Sequence, residues 1–206
     1  NDPVKVDLPA LEANLAAIVR DWRDELREQL IVRHGEEAGL RLAELYGRAL
    51  PAGYIEEVSP AVAATDVDCL AALTGPDDLR LSLYRSHRSG QTLRFKLFRQ
   101  LQDIPLSDAL PMMENMGLRV ISEHPYAIPT GDETLQIQDF EVQSAATDVD
   151  ISAVSARFEH AFEAIWSGQA DSDGFNRLIL GPRLDWRGFQ MLRGCCNSLM
   201  RPAVLC

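Results

Sequence analysis

The sequence predicts an α+β fold, in which helical segments flank a permuted ferredoxin-like sheet of four antiparallel strands with two packed helices. Three observations support this prediction. Apolar residues recur every three or four positions near both ends of the chain, as on one face of a helix. The middle of the chain contains runs typical of strands, at 79–85, 92–99, 118–124 and 134–143. A run with helical spacing separates the second strand from the third.

The first segment is predicted to be helical. Its apolar stripe between positions 8 and 32 consists of Leu11, Leu15, Ile18, Trp22, Leu26 and Leu30. A second helix is predicted over 34–49, and its inward residues are Leu42, Leu45 and Ala49. A third helix begins at Ser59-Pro60, where serine suits the cap and proline the first turn. Gly75-Pro76 ends this segment.

The next segment is predicted to be a β-hairpin. Leu79, Leu81 and Leu83 alternate with polar residues, and 92–99 alternates in the same way beyond a polar turn. A helix over 106–116 follows, and the residues expected to face the sheet are Leu106, Leu110, Met113 and Met116. Pro111 fits this helix only near its first turn, and Gly117 suits a left-handed cap.

The rest of the sheet and the final helices follow in order. The third strand is expected to end at Pro125, and the fourth changes its apolar phase, which predicts a bulge near Asp139. A helix over 151–167 ends at Gly168. Its apolar stripe is Val154, Phe158, Ala161, Phe162 and Ile165. We expect Phe95 and Met113 to be buried against each other between the sheet and the helix 106–116. Shorter helices are predicted at 173–180 and from about Asp185.

These elements predict the strand order 79–85, 92–99, 134–143, 118–124. No strand-like run follows the helix 151–167, so the hairpin partner 79–85 takes the edge that a last strand occupies in ferredoxin-like units. Apart from this permutation, the architecture is that of ACT domains. The predicted organisation is a helical segment 1–76, an ACT-like domain 77–168 and a helical segment 169–206.

The composition excludes several classes of function. A formal net charge of −11 argues against binding to nucleic acid or to an anionic membrane surface. No apolar run reaches the roughly 20 residues that a membrane span needs, and the start does not resemble a signal peptide. The expected location is therefore cytoplasmic. The absence of an initiator Met and the apolar last residues predict a segment of a longer polypeptide.

The sequence lacks the motifs of common catalytic sites. It contains no Gly-x-Gly-x-x-Gly loop, no phosphate-binding Gly-Lys-Ser/Thr loop and no Gly-x-Ser-x-Gly elbow. Lys5 and Lys96 are its only lysines, and its histidines are scattered. His160 is expected to be an edge residue rather than a general base. We therefore predict no catalytic, cofactor-binding or metal-binding residue in this chain.

Two further patterns are open to two interpretations. The predicted hairpin is basic, which indicates either a solvated sheet edge, the favoured interpretation, or a contact with an anion or a subunit. The string Ala-Ala-Thr-Asp-Val-Asp occurs at 63–68 and at 145–150. Paired aspartates can bind a divalent metal, but the favoured interpretation is coincidence, with the second copy capping the helix that follows.

Six strings in the sequence are distinctive when taken together: WRDEL at 22–26, LRFKLFR at 93–99, LSDALPMMENMGLRVI at 106–121, Pro125-Tyr126, DGFNRL at 173–178 and Trp186-Arg187. In this order they resemble one family, the large bacterial NAD-specific glutamate dehydrogenases. The resemblance implies an internal ACT-like module with helical flanks, in which 169–206 leads towards a catalytic domain that this chain does not contain. The family oxidises L-glutamate to 2-oxoglutarate and ammonia, with NAD as the hydride acceptor.

The resemblance also implies a regulatory or architectural role in amino-acid catabolism. The expected partners are the other domains and subunits of a homo-oligomeric enzyme, together with a small amino-acid effector. In ACT domains such effectors bind near the turn from the first strand to the first helix. Here that turn is 100–105, it lacks a glycine, and the polar candidates are Asp103, Ser107 and Asp108.

The alternative is a stand-alone ACT-like module that senses an amino acid and has no enzyme attached. A free-standing enzyme with a new site is disfavoured by the missing motifs. The full reading frame discriminates between the enzyme segment and the stand-alone module. Continuation past Cys206 into a glycine-rich dinucleotide loop favours the enzyme segment, and a stop codon just after Cys206 favours the stand-alone module.

Overall fold

The computed structural model describes residues 8–86, 92–101, 104–144, 150–180, 187–188 and 191. Its helices are α1 (Leu8–His34), α2 (Glu36–Ala49), α3 (Ala52–Glu57), α4 (Pro60–Ala71), α5 (Leu106–Asn115) and α6 (Ile151–Trp166), with a 3-10 helix over Gly174–Leu180. Its strands are β1 (Arg80–Arg85), β2 (Leu93–Gln100), β3 (Leu118–Thr130) and β4 (Glu133–Ser144).

The chain forms two compact units, each built from more than one stretch of sequence. The first unit comprises the helices up to Asp78 together with residues 99–101 and 126–137. The second unit comprises the described residues within 79–98 and 102–125 and those from 138 onwards. The outer half of the hairpin formed by β3 and β4 is therefore counted with the helices of the first unit.

Helices α1 and α2 of the first unit pack closely because Gly39 has no side chain. A Cβ atom at this position would lie 2.5 Å from Cα of Ile31 and 2.6 Å from its backbone nitrogen. No side chain fits in that space unless the backbone moves. Gly35, between the two helices, has a φ angle of 80°, a left-handed conformation that glycine adopts without strain.

Aromatic rings form the centre of the first unit. Trp22 and Tyr54 make an edge-to-face contact with ring centroids 6.4 Å apart, and Tyr54 makes a second one with Tyr126 at 5.2 Å. Indole Nε1 of Trp22 donates a hydrogen bond to the carbonyl of Val58 at 2.8 Å. The hydroxyl of Tyr54 donates to the buried carboxylate of Asp66. The polar ends of these large apolar side chains are thus paired inside the core.

The predicted helices of the first unit are present, but two facing assignments are wrong. Ile18 is 61% exposed and Leu45 is 48% exposed, although both were expected to face inward. In α2 the buried residues are instead Gly39, Tyr46 and Gly47, so the inward face lies one position away from the predicted one. Helix α3 was not predicted at all.

The sheet has the predicted strand order. The four strands lie in the order β1-β2-β4-β3, and β1 pairs antiparallel with β2, with Leu83 opposite Phe95. The α+β fold class and the permuted ferredoxin-like arrangement are thus confirmed. Strand β1 occupies an edge of the sheet, as the sequence predicted because it has no strand-like run after the helix 151–167.

Helices α5 and α6 supply most of the core that covers one face of the sheet. Phe95 makes edge-to-face contacts with Phe158 at 5.2 Å and with Phe162 at 5.1 Å. Met113 is fully buried in the same core cluster, so the expected burial of Phe95 and Met113 is confirmed. The predicted stripe of α6 is confirmed as well, since all of its members are buried.

The structure corrects three local predictions in this part of the chain. Strand β3 does not end at Pro125 but continues to Thr130. Because β3 is an edge strand, a residue without a backbone N–H can be accommodated there. Leu106 is 40% exposed rather than facing the sheet. Pro111 lies in the second turn of α5, where it removes the N–H that the carbonyl of Ser107 would accept.

Three helix ends follow the expected chemistry, whereas Ser59 precedes α4 without a side-chain capping hydrogen bond. Gly117 and Gly168 have positive φ angles of 84° and 73° after α5 and α6, as glycine caps require. Asp150 caps α6, because its side chain accepts a hydrogen bond from the N–H of Ser152 at 3.1 Å. The predicted segment 173–180 is a 3-10 helix. Most of the helix predicted from about Asp185 lies outside the described residues.

Replacing Gly39 with alanine should destabilise the chain, because the new methyl group would collide with the backbone of α1 at Ile31. We expect the Gly39→Ala variant to unfold at a temperature several degrees lower, equivalent to about 1–3 kcal/mol of overpacking. Gly47→Ala in the same helix is the control, because a Cβ there meets nothing within 4 Å. Thermal unfolding followed by circular dichroism compares them, and equal midpoints would contradict the close packing.

Candidate functional site

The residues proposed for effector binding lie in and before the first turn of α5. Ser107 and Asp108 are both exposed. The hydroxyl of Ser107 donates to the carboxylate of Asp108 at 3.2 Å, and the N–H of Asp108 donates to the carbonyl of Pro105 at 2.9 Å. A hydroxyl and a carboxylate here can accept hydrogen bonds from an ammonium group. Asp103 lies outside the described residues.

The backbone turns sharply just before this region, at Leu101. Its φ angle of 65° is the only positive value at a non-glycine residue among those described. This left-handed conformation costs a leucine roughly 1–2 kcal/mol. The turn thus contains a residue in the conformation that favours glycine, although that residue is a leucine. The N–H of Leu101 donates to the carbonyl of Thr134 at 2.8 Å, which holds the turn.

A buried glutamine holds the segment that leads into α5. The side chain of Gln138 on β4 accepts from the N–H of Ile104 and donates to its carbonyl, each at 2.9 Å. Nε2 of Gln138 also lies 3.3 Å from Oε1 of Glu123 on β3. Gln138 is 5% exposed and Ile104 is 2% exposed. This contact was not predicted, because nothing in the sequence pairs a strand glutamine with a distant loop.

The basic hairpin is not simply a solvated edge, and that interpretation is wrong for Arg94 and Lys96. Two nitrogens of Arg94 donate to the two carboxylate oxygens of Asp139, at 2.8 and 2.7 Å. Nζ of Lys96 lies 3.5 Å from Asp139, and both side chains are 0% exposed. Nζ of Lys96 is also 5.3 Å from the ring centre of Tyr84, a cation–π contact. The cluster joins β1, β2 and β4.

A shallow pocket of about 190 Å³ lies between β1 and α6. Its lining residues are Leu79, Arg80, Leu81, Glu159, His160 and Glu163. The carboxylate of Glu159 accepts a hydrogen bond from the N–H of Leu83 at 2.8 Å, on the edge strand. Burial raises the pKa of Glu159, and this hydrogen bond and His160 oppose the rise only in part. His160 is exposed beside these groups, in agreement with the predicted edge position.

The two copies of Ala-Ala-Thr-Asp-Val-Asp have different surroundings. In the first copy, Asp68 on α4 accepts from Arg33 at 2.5 Å and lies 2.6 Å from Nε2 of His34. In the second copy, Asp150 caps α6, and the hydroxyl of Ser152 helps to hold the pKa of Asp150 below its usual value. Residues 145–149 lie outside the described part of the chain. Capping by the second copy is therefore confirmed.

The described residues contain neither a metal-binding cluster nor a helix that could span a membrane. No group of three or more histidine, cysteine, aspartate or glutamate side chains within the described ranges is placed to hold a metal ion. None of the helices in those ranges is both long enough and apolar enough to cross a membrane.

Two protein-family models match two consecutive parts of the chain. Residues 78–154 match the family model "Glutamate dehydrogenase, ACT3 domain", and residues 29–73 match "Glutamate dehydrogenase, helical motif 2". The chain therefore carries an ACT domain preceded by a helical motif. This class agrees with the sheet topology and with the helices of the first unit.

Full-length relatives point to the same family. The NAD-specific glutamate dehydrogenase of Halomonas elongata is 42% identical over 199 residues, which is 96% of this chain. The enzymes of that name from Pseudomonas aeruginosa and Mycobacterium tuberculosis are 35% and 28% identical, over 95% and 92% of the chain. The chain spans 12% of the length of each relative. Nearly the whole chain is thus similar to one segment of NAD-specific glutamate dehydrogenases, in agreement with the sequence resemblance.

Replacing Glu159 with glutamine should stabilise the chain at neutral pH. The raised pKa means that folding disfavours the ionised carboxylate, which therefore lowers the free energy of unfolding. This destabilisation is complete at pH values above the raised pKa. It disappears below the usual glutamate pKa of 4.5, where both states are protonated. A carboxamide can still accept from Leu83 but carries no charge. We expect a higher thermal midpoint for Glu159→Gln at pH 7 and none of this gain at pH 4.

Glu163→Gln provides the control for this prediction, because it removes the same charge from an exposed position on the same helix. Its unfolding midpoint should follow that of the parent chain across the pH range. A Glu159→Gln variant that is less stable than the parent at pH 7 would show that the ionised carboxylate stabilises the edge strand.

Proposed function

We propose that this chain is a regulatory or architectural segment of an NAD-dependent glutamate dehydrogenase. In the complete protein the reaction is the oxidation of L-glutamate by NAD to 2-oxoglutarate, ammonia and NADH. The observation that carries the proposal is the match of nearly the whole chain to relatives of which it covers only 12%. A match over such a small share of long enzymes fits a segment that serves the catalytic portion rather than containing it.

The segment itself is proposed to be non-catalytic, with NAD bound elsewhere in the complete protein. Support comes from the missing dinucleotide loop and from the state of the lysines. A catalytic lysine must reach the substrate, but Lys96 is 0% exposed and paired with Asp139. Lys5 is the only other lysine in the sequence. An acid–base group for glutamate oxidation is therefore not available from lysine in the described residues.

Regulation is proposed to act through an amino-acid effector near the first turn of α5. Asp108 and Ser107 would accept hydrogen bonds from the ammonium group of the effector, with Asp103 as the third polar contact. Support comes from the exposure of Ser107 and Asp108, which follow the strained turn at Leu101 by a few residues in the sequence. The other partners in this proposal are further domains and subunits of the same homo-oligomeric enzyme. A cytoplasmic location belongs to it, because the reaction draws on the NAD pool of the cell.

The alternative, a stand-alone amino-acid-sensing module without an enzyme, has less support. It predicts relatives of about the same length as this chain. The relatives named above are much longer, since the chain covers 12% of each.

The 206-residue chain should produce no NADH from glutamate and NAD, because it lacks a nucleotide-binding loop and an accessible catalytic lysine. Absorbance at the NADH band measures turnover, and calorimetric titration with NAD measures binding. A full-length relative serves as the positive control under the same conditions. Turnover above background, or NAD binding with micromolar affinity, would reject the proposal that this segment is non-catalytic.

An effector that binds at α5 should raise the thermal midpoint of the chain in proportion to its occupancy. We expect at least one L-amino acid, screened at millimolar concentration, to produce such a shift. Asp108→Asn should weaken its binding by roughly tenfold or more, since a charge-assisted hydrogen bond is lost. Asp132→Asn, at an exposed turn position, is the matched control. If no amino acid shifts the midpoint, this effector site is rejected.

A further inference from the structure

The outer edge of β1 carries the backbone groups of Leu81, Leu83 and Arg85. Within the described residues, β1 pairs with β2 only and lies at an edge of the sheet. The N–H of Ser86 donates to the carbonyl of Thr92 at 2.9 Å, so position 86 faces β2. Because backbone groups alternate in direction along an antiparallel strand, positions 81, 83 and 85 face away from β2. An edge of this kind can pair with a further strand.

The middle one of these outer positions already has a partner on α6. The N–H of Leu83 donates to Oε1 of Glu159 at 2.8 Å. Leu83 is 4% exposed, and it belongs to the same core cluster as Phe158, the residue before Glu159. The side chain of Glu159 thus extends from the helix that covers β1 to the outer backbone of that strand. Its carboxylate occupies the position that the carbonyl of a further strand would need.

The charge of Glu159 is not required for this hydrogen bond. Burial raises the pKa of Glu159, so the folded chain disfavours the ionised form. A neutral acceptor could satisfy the same N–H without that loss of stability. The ionised carboxylate adds a negative charge at the strand edge, and charges at such positions prevent unwanted pairing in many sheets.

A second copy of this chain would bring the same groups to the edge. Two β1 strands that pair antiparallel about a two-fold axis at Leu83 each need the N–H of Leu83 for the other copy. Glu159 holds that N–H. The carboxylates of Glu159 from the two copies would also meet near the axis, where like charges repel each other.

We propose that Glu159 keeps the outer edge of β1 closed to pairing with β1 of a second copy of this chain. Its carboxylate binds the N–H of Leu83 and places a negative charge where the two-fold axis would pass. In the proposed homo-oligomeric enzyme, the contacts between subunits then lie on other surfaces. This role is independent of the proposed effector site at α5, because it involves only β1, β2 and α6.

Glu159→Ala opens this edge, and NMR amide exchange of the 206-residue chain at several protein concentrations measures the result. In the parent chain, the amide of Leu83 should exchange slowly at a rate that does not depend on concentration. In dilute Glu159→Ala it should exchange about tenfold faster or more, because a charge-assisted hydrogen bond is lost. At high concentration, the amides at 81, 83 and 85 should become protected together, and sedimentation should show a dimer.

Two further variants provide the controls. Glu163→Ala removes one charge from an exposed position that lines the same pocket, and it should behave as the parent chain does. Arg85→Pro, added to Glu159→Ala, removes an outward-facing N–H and leaves the hydrogen bonds to β2 in place. The double variant should therefore not form the dimer.

Glu159→Gln separates the hydrogen bond from the charge. Its carboxamide can still accept from Leu83, so the protection of that amide in dilute solution should match the parent chain. Without the charge, its association should be stronger than that of the parent and weaker than that of Glu159→Ala. If Glu159→Ala does not fold, the comparison of Glu159→Gln with the parent decides, and equal association overturns the proposal.

Three other results would also overturn it. One is a folded Glu159→Ala chain that does not associate at any concentration. Another is an association that Arg85→Pro leaves unchanged, because the copies would then pair through a different surface. The third is fast exchange of the Leu83 amide in the parent chain, because Glu159 would then not hold that N–H.

Discussion

Strand β4 constrains the whole fold, because its apolar residues change phase at Gln138 and Asp139. Side chains alternate along a regular strand, and Leu135 and Ile137 are out of phase with Phe140 and Val142. All of these apolar side chains are buried. A slip of one residue would expose both sets and would unpair the two buried polar residues between them. The register is therefore defined by polar contacts placed where the apolar pattern reverses.

Polar contacts at this position favour a unique register more than they favour stability. Removing the charge of Asp139 from beside Arg94 and Lys96 would cost about 3–5 kcal/mol, because buried cations would lose their partner. Replacing the whole cluster with apolar side chains is often neutral or stabilising. The cluster therefore disfavours other registers strongly while adding little net stability. This is a reasonable arrangement for a strand that serves two compact units.

Local periodicity was sufficient to predict the strand order, because each strand and sheet-packing helix shows its own pattern and the hairpin turn is short. Local periodicity was not sufficient where contacts between distant residues determine the burial of a side chain or the length of a strand. Period-two alternation assigned Lys96 to a solvated face, but only the distant Asp139 explains its burial. Strand β3 passes Pro125 because it lies at an edge, which local sequence cannot reveal. Of the candidate site, the positions of Ser107 and Asp108 were predictable, whereas the pairing of Gln138 with Ile104 was not.

The same contacts bear on what such a segment can contribute to a long enzyme. Two buried carboxylates among the described residues have partners inside the fold: Asp139 pairs with Arg94 and Lys96, and Asp66 accepts a hydrogen bond from Tyr54. These groups serve the fold and are not exposed to a substrate. The turn at Leu101 and the carboxylate of Asp108 differ, since both residues are exposed. In the proposed function, these surface groups are therefore the ones that an effector can reach, whereas the paired charges of the core are not.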